Sequence, residues 1–260
     1  MIPVIPWYIE LIVLATNLTI AAAVWGILSS AAGRSGLPHG TVRRVRVGTA
    51  AFIGTWLGAA LILAPAPETL LTQDPFALTP LVPIFVLSPV AIALVAILRS
   101  PVLRRVLAAA SLPALIGVQL YRLIGIVFVA LLALGQLPAH FAVPAGWGDI
   151  AVGLAAPLVA LGLARGTRGD RALAVAWSVF GLVDLIIAIG MGTGLLAPFL
   201  VPGLGPRVPS AAAMGVFPMV LVPMFLVPMS VLLHAAALGK LRQGGALGLV
   251  LNPGRPSALP

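Results

Sequence analysis

The chain has 260 residues, of which 61% are hydrophobic and only 8% charged; it carries a formal net charge of +9 and no cysteine. Soluble domains carry about a quarter charged residues, so a water-soluble fold is excluded, and at a mean hydropathy of +1.16 the spare positive charge suits anionic inner-leaflet lipid headgroups rather than nucleic acid. The missing cysteine excludes disulfides, thiolate metal sites and cysteine nucleophiles.

A membrane span needs about 20 apolar residues, and seven segments qualify. Met1 to Tyr8 holds no basic n-region and no cleavage site, so the first segment, about 8–30, reads as a retained span; Arg34, Arg43, Arg44 and Arg46 follow it. The second, about 47–64, leads into an acidic, proline-rich loop with Glu68 and Asp74. The third, about 81–98, ends at Arg99, Arg104 and Arg105, and the fourth, about 107–134, is followed by a loop whose only basic-type residue is His140. The fifth, about 147–164, runs into Arg165, Arg168 and Arg171. The sixth, about 172–196, precedes a Gly/Pro-rich loop containing Arg207, and the seventh, about 213–238, ends at Lys240 and Arg242.

Lys and Arg therefore fall in alternate gaps, and the positive-inside rule sets the direction of every span at once. The expected fold is an all-α bundle of seven transmembrane helices, N-terminus outside and C-terminus inside, in a plasma (bacterial inner) membrane. Residues 1–243 form this domain and 244–260 a loosely ordered cytoplasmic tail. Leu81-Val82-Pro83-Ile84-Phe85 matches Leu221-Val222-Pro223-Met224-Phe225 at four of five positions, and Trp7 before Glu10 parallels Trp147 before Asp149. These pairs suggest a 3+1+3 parallel repeat. That layout resembles the sugar-transporter and PQ-loop families; the Pro-Gln dipeptide of the latter is missing here.

Charges inside a span cost about 2.5–3.5 kcal/mol on insertion scales and face a bundle interior or a wet cavity. Arg122 lies midway along the fourth span and Asp184 midway along the sixth, at similar depth, so an ion pair between them is the leading intramembrane contact. Gly181 and Ala188 share the face of Asp184, a small-residue stripe that admits a close neighbour. Gln119 and Arg122, three residues apart, share a face and, with Tyr121, could present donors to an anionic or polar ligand. Against this stands a structural reading, in which the pair pins two helices together and Gln119 and Tyr121 satisfy each other or exposed carbonyls.

Asp149 follows Gly146 and Gly148 on a stripe with Gly153 and Ala156. With Glu10 and His140 it could line an outer vestibule, although an acid in the first turn of a helix is explained by the dipole alone, the reading favoured here. His234, one turn from Ser230, reads as a packing residue. Pro218-Met219, Pro223-Met224 and Pro228-Met229 recur every five residues, so the seventh helix must be kinked or broken. A five-residue step turns about 140°, which spirals the Met side chains and disfavours a copper ladder.

The stretch Gln119-Leu-Tyr121-Arg122, continuing to Pro144-Ala-Gly146-Trp147-Gly148-Asp149, resembles uncharacterised multi-spanning bacterial membrane proteins, a resemblance that implies class and location and no activity. No catalytic residue, metal site or cofactor is expected. An intramembrane lysine for retinal, a Gly-x-Ser-x-Gly elbow and a phosphate-binding loop are all missing from the sequence. Two functions remain. One is a transporter of a small solute or ion, proton-coupled, with Gln119, Tyr121, Arg122 and Asp184 along its path. The other is a non-catalytic membrane subunit or assembly factor whose charges only order the bundle. Water reaching Arg122 would favour the first, and a dry, fully paired Arg122 the second.

Overall fold

The computed structural model describes residues 4–64, 81–166, 169–201 and 211–251, with side chains described except at 81–83, 197–198 and 243–251. Glu68, Asp74, Arg168, Arg207 and residues 252–260 of the expected tail lie outside the described residues. Among those described, every regular element is helical. Six helices are long and apolar enough to cross a membrane, or seven when one sharply bent pair counts as a span.

Helix α1 (Trp7–Arg34) starts behind Pro6 and ends where Ser35 turns its hydroxyl back onto the Ala32 carbonyl. After Pro38, α2 (His39–Leu63) returns along it. Trp25 donates to the Arg46 carbonyl and Arg46 to the Ser29 carbonyl, closing the hairpin at its basic end. Helix α3 (Leu81–Arg99) then meets Ser100-Pro101. Ser100 caps α4 (Pro101–Ala109) by accepting from the Leu103 amide, and proline occupies the first helical position, where its missing N–H costs nothing. The chain bends 99° there.

The fourth crossing begins later than the expected 107, because Ser111 and Pro113 repeat this device at the start of α5 (Leu112–Gly117). It continues as a 3₁₀ segment (Val118–Ile124) and α6 (Gly125–Ala133). Helix α7 (Ala139–Arg165) starts eight residues before the expected 147. Pro144 lies inside it, since losing one backbone bond in a first turn and a half is cheaper than breaking a helix in hydrocarbon. Gly166, at φ +70°, ends it in the left-handed conformation usual after a helix.

Helix α8 (Asp170–Gly192) follows, then the short α9 (Ala197–Leu200). The last crossing is broken: a 3₁₀ turn (Ala212–Gly215), an irregular stretch, a π segment (Val222–Leu226) and α10 (Val227–Leu251) replace the single span expected from 213. The Val227 amide bonds the Val222 carbonyl, five residues back. A five-residue proline period suits that i→i−5 pattern. Helix α10 extends to Leu251, past the expected span end at 238.

Helix α7 packs against α5, the 3₁₀ segment, α6 and α8, and α10 closes the bundle on α8, α3 and α5. The outer surface is apolar like the interior, unlike that of a soluble protein. Leu158, Ile186 and Phe180 face outward, while Ala142, Ala145, Ala156 and the polar Asn17, Gln119, Arg122, Ser178, Asp184, Ser230 and His234 are buried. Among the described residues, basic side chains other than Arg122 gather at one end, where several cap helix carbonyls: Lys240 Nζ reaches the Leu107 and Ala108 carbonyls at 3.0 and 2.6 Å, Arg171 the Leu241 carbonyl, and Arg104 the Leu98 carbonyl. Trp7 is the first residue of α1, but Trp147 is well inside α7, so the two Trp-acid pairs sit at different heights in their helices.

Candidate functional site

The site is built around the 3₁₀ segment, a run longer than the three or four residues usual for that conformation. At three residues per turn, Gln119 and Arg122 eclipse each other on one face, and both are buried. Glycines on α7 let this segment approach. A Cβ at Gly153 would lie 2.8 Å from the Leu123 amide and 3.1 Å from the Arg122 carbonyl carbon, and one at Gly125 would press on the Gly146 carbonyl and Asp149.

Arg122, 1% exposed, spends every nitrogen. Nε donates to Asp149 Oδ1 at 2.6 Å, and Nη2 donates to Asp184 Oδ2. Nη1 donates to the Gly181 carbonyl at 3.2 Å and faces His234 Nε2 at 3.4 Å. Arginine has no lone pair to offer and stays protonated, so His234 Nε2 is the acceptor and the imidazole is the neutral tautomer with its proton on Nδ1. That ring packs on Trp177, centroids 4.9 Å apart, and the Trp177 indole N–H donates to the Val152 carbonyl.

Two more glycines make room. A Cβ at Gly181 would strike the His234 ring and sit 3.1 Å from Arg122 Nη1, while one at Gly148 would overlap the Asp184 carboxylate. Tyr121 turns away from Gln119 and toward the broken helix, where its hydroxyl meets Ser230 and lies 3.0 Å from the Leu226 carbonyl. The irregular segments of the fourth and last crossings are thus tied directly together.

Of the residues singled out in the sequence, the structure brings together Arg122, Asp184 and Asp149. Asp149 is not in the first turn of its helix: α7 begins ten residues earlier, so the dipole account is replaced by an ion pair. Of the three residues expected to line an outer vestibule, Asp149 is in this cluster. His140 is in the first turn of α7, and nine residues of helix, about 13 Å of rise, separate it from Asp149. Glu10 occupies the first turn of α1. Sequence reasoning read His234 as packing only, because nothing in its own helix shows that Gly181 opens a gap opposite it.

Four buried polar atoms close by are without a hydrogen-bond partner among the described residues: Gln119 Oε1 and Nε2, Ser178 Oγ and His234 Nδ1. Gln119 is one 3₁₀ turn from Arg122, and Ser178 one α-helical turn before Gly181. In chain order Gln119 lies between the start of α5 and Arg122, and Ser178 between Arg171 and Asp184.

Residues 79–242 match the family described as "Domain of unknown function (DUF8737)". The chain belongs to this family. In this DUF8737 protein the matched span holds Arg122, Asp149, Asp184 and His234, whereas α1 and α2 precede it. No curated protein and no solved structure matches the chain.

Proposed function

We propose that this membrane-embedded DUF8737 protein is a proton-coupled transporter of a small solute or ion, with Arg122, Asp149 and Asp184 as its coupling group and Gln119 and Tyr121 along the path. The observation that carries this reading is the imbalance of the cluster, two carboxylates on a single guanidinium. A pin between helices needs one acid per base; Asp149, its side chain 14% exposed against 7% for Asp184, is a second acid that costs desolvation free energy without adding a base. The unpartnered Gln119, Ser178 and His234 atoms beside it add polar capacity in a region where each unsatisfied group costs several kcal/mol.

In this reading the basic end faces the cytoplasm and anionic lipid headgroups, the N-terminus is outside, and the host membrane is a bacterial inner membrane. A 3+1+3 repeat rests on the match between residues 81–85 and 221–225.

A second reading has its own support. Arg122 is 1% exposed and bonded at every nitrogen, the condition that suits a subunit or assembly factor whose charges only order the bundle. The two readings separate on charge removal. Arg122→Leu alone leaves the buried Asp184 and the part-buried Asp149 uncompensated and should cost about 3–5 kcal/mol, seen as a lower melting temperature in detergent. Arg122→Leu with both Asp149→Leu and Asp184→Leu should recover folding. If the triple variant also restores the growth phenotype of a deletion strain, the cluster is structural and the transport reading fails. If it folds and remains inactive, the groups that bind the proton are what was lost.

A further inference from the structure

We infer that the Arg122 cluster is a binding site for one exchangeable proton, carried on one of the two carboxyl groups that Arg122 holds, Asp149 or Asp184. The inference supplies the coupled ion of the transport reading, yet it stands on charge and geometry that hold whether or not a solute moves. The groups facing the cluster come from four elements: Arg122 and Tyr121 from the 3₁₀ segment, Asp149 from α7, Asp184 from α8, and His234 from α10. Helices α5 and α6 contribute no titratable side chain.

The count is short. Arg122 is fixed at one positive charge. The Tyr121 hydroxyl is held by Ser230 and a carbonyl, and His234 is neutral because its Nε2 accepts from the guanidinium. With both acids ionised the cluster, in which Arg122 and Asp184 are buried and the Asp149 side chain is 14% exposed, carries one uncompensated negative charge, a state that buried sites avoid. One proton on one carboxyl makes it neutral. Each acid has an oxygen to receive it, since Arg122 engages only Oδ1 of Asp149 and only Oδ2 of Asp184.

A metal cation fits less well: the guanidinium already holds one oxygen of each acid and repels a second positive charge, and hard cations require six or more oxygen ligands. On release the carboxyl O–H bond breaks, its electron pair stays on the oxygen, and the proton passes to water. Arg122 then bridges two carboxylates instead of one.

The orphaned groups point to the side of exchange. Gln119, Ser178 and His234 are fully buried, and among the described residues the Gln119 amide, the Ser178 hydroxyl and His234 Nδ1 have no hydrogen-bond partner. In chain order Ser178 lies between Arg171 and Asp184, and Gln119 between the start of α5 and Arg122, on the side where Arg171 and Lys240 cap their neighbours. A polar track on that one side gives the proton an approach from the basic end.

The test is proton counting on purified full-length protein in detergent, by titrating from alkaline to mildly acidic buffer. Each variant is compared with wild type so that the other acids and histidines cancel. Asp149→Asn and Asp184→Asn each leave one arginine against one carboxylate, and each should take up one proton fewer per chain than wild type. Arg122→Gln should take up one more. Equal uptake in wild type and both asparagine variants would overturn the site; if only one variant folds, that one decides. Loss of the proton in His234→Gln with retention in both asparagine variants would place it on the imidazole and overturn the assignment as well. A one-proton difference in a protein with no transport phenotype would keep the site and remove the transport reading.

Discussion

Gly148 carries as much of the site as the charged residues do. Its missing side chain is what lets the Asp184 carboxylate reach Arg122, because a Cβ there would occupy the space of the carboxyl group. Gly148→Ala should therefore displace Asp184 and lower stability by about 1–3 kcal/mol, the usual cost of overpacking, read as a drop in melting temperature in detergent. Gly54→Ala is the matched control. Nothing lies within 4 Å of a Cβ at Gly54, and alanine is the better helix former by about 1 kcal/mol, so that variant should be as stable as wild type or slightly more so. Equal losses in the two would show that helix backbone, and not the cluster, governs the response. At this scale the sequence exposes Arg122 and Asp184 by their placement in apolar runs. It hides Asp149 and His234, since the first reads as a helix-start acid and the second as an isolated histidine.

At the scale of elements, the departures from α-helix are where the site is made. The 3₁₀ segment stacks Gln119 over Arg122, and the π segment with its proline period turns the last crossing toward it. Tyr121 couples the two through Ser230 and the Leu226 carbonyl. Tyr121→Phe and Ser230→Ala should each destabilise by about 1–3 kcal/mol, as loss of a buried hydrogen-bond partner does. The double variant should cost less than their sum, with a coupling of at least 0.5 kcal/mol by thermal melting; strict additivity would mean that the two irregular segments are independent. The proline period announces a broken last helix. By contrast, the 3₁₀ run has no proline and no distinctive residue pattern, because it is imposed by close packing on Gly153 of α7.

For the whole molecule, topology is the quantity to test. Reporter fusions after Arg46, Arg105, Arg171 and Arg242 should all report one side, the cytoplasm, and fusions near Asp74, His140 and Arg207 the other. An outside signal at Arg105 would require that the bent α3–α4 pair does not cross, leaving six spans. The sequence by itself determined the class: apolar runs of span length cannot be hidden in water, so it is fixed by transfer free energies that need no partner. Span edges near prolines escaped it, as with α7, which starts ahead of Pro144. Only the tertiary structure decided which charges meet. Arg122 is 27, 62 and 112 residues from Asp149, Asp184 and His234, and their convergence depends on glycines that matter through what packs against them from another helix.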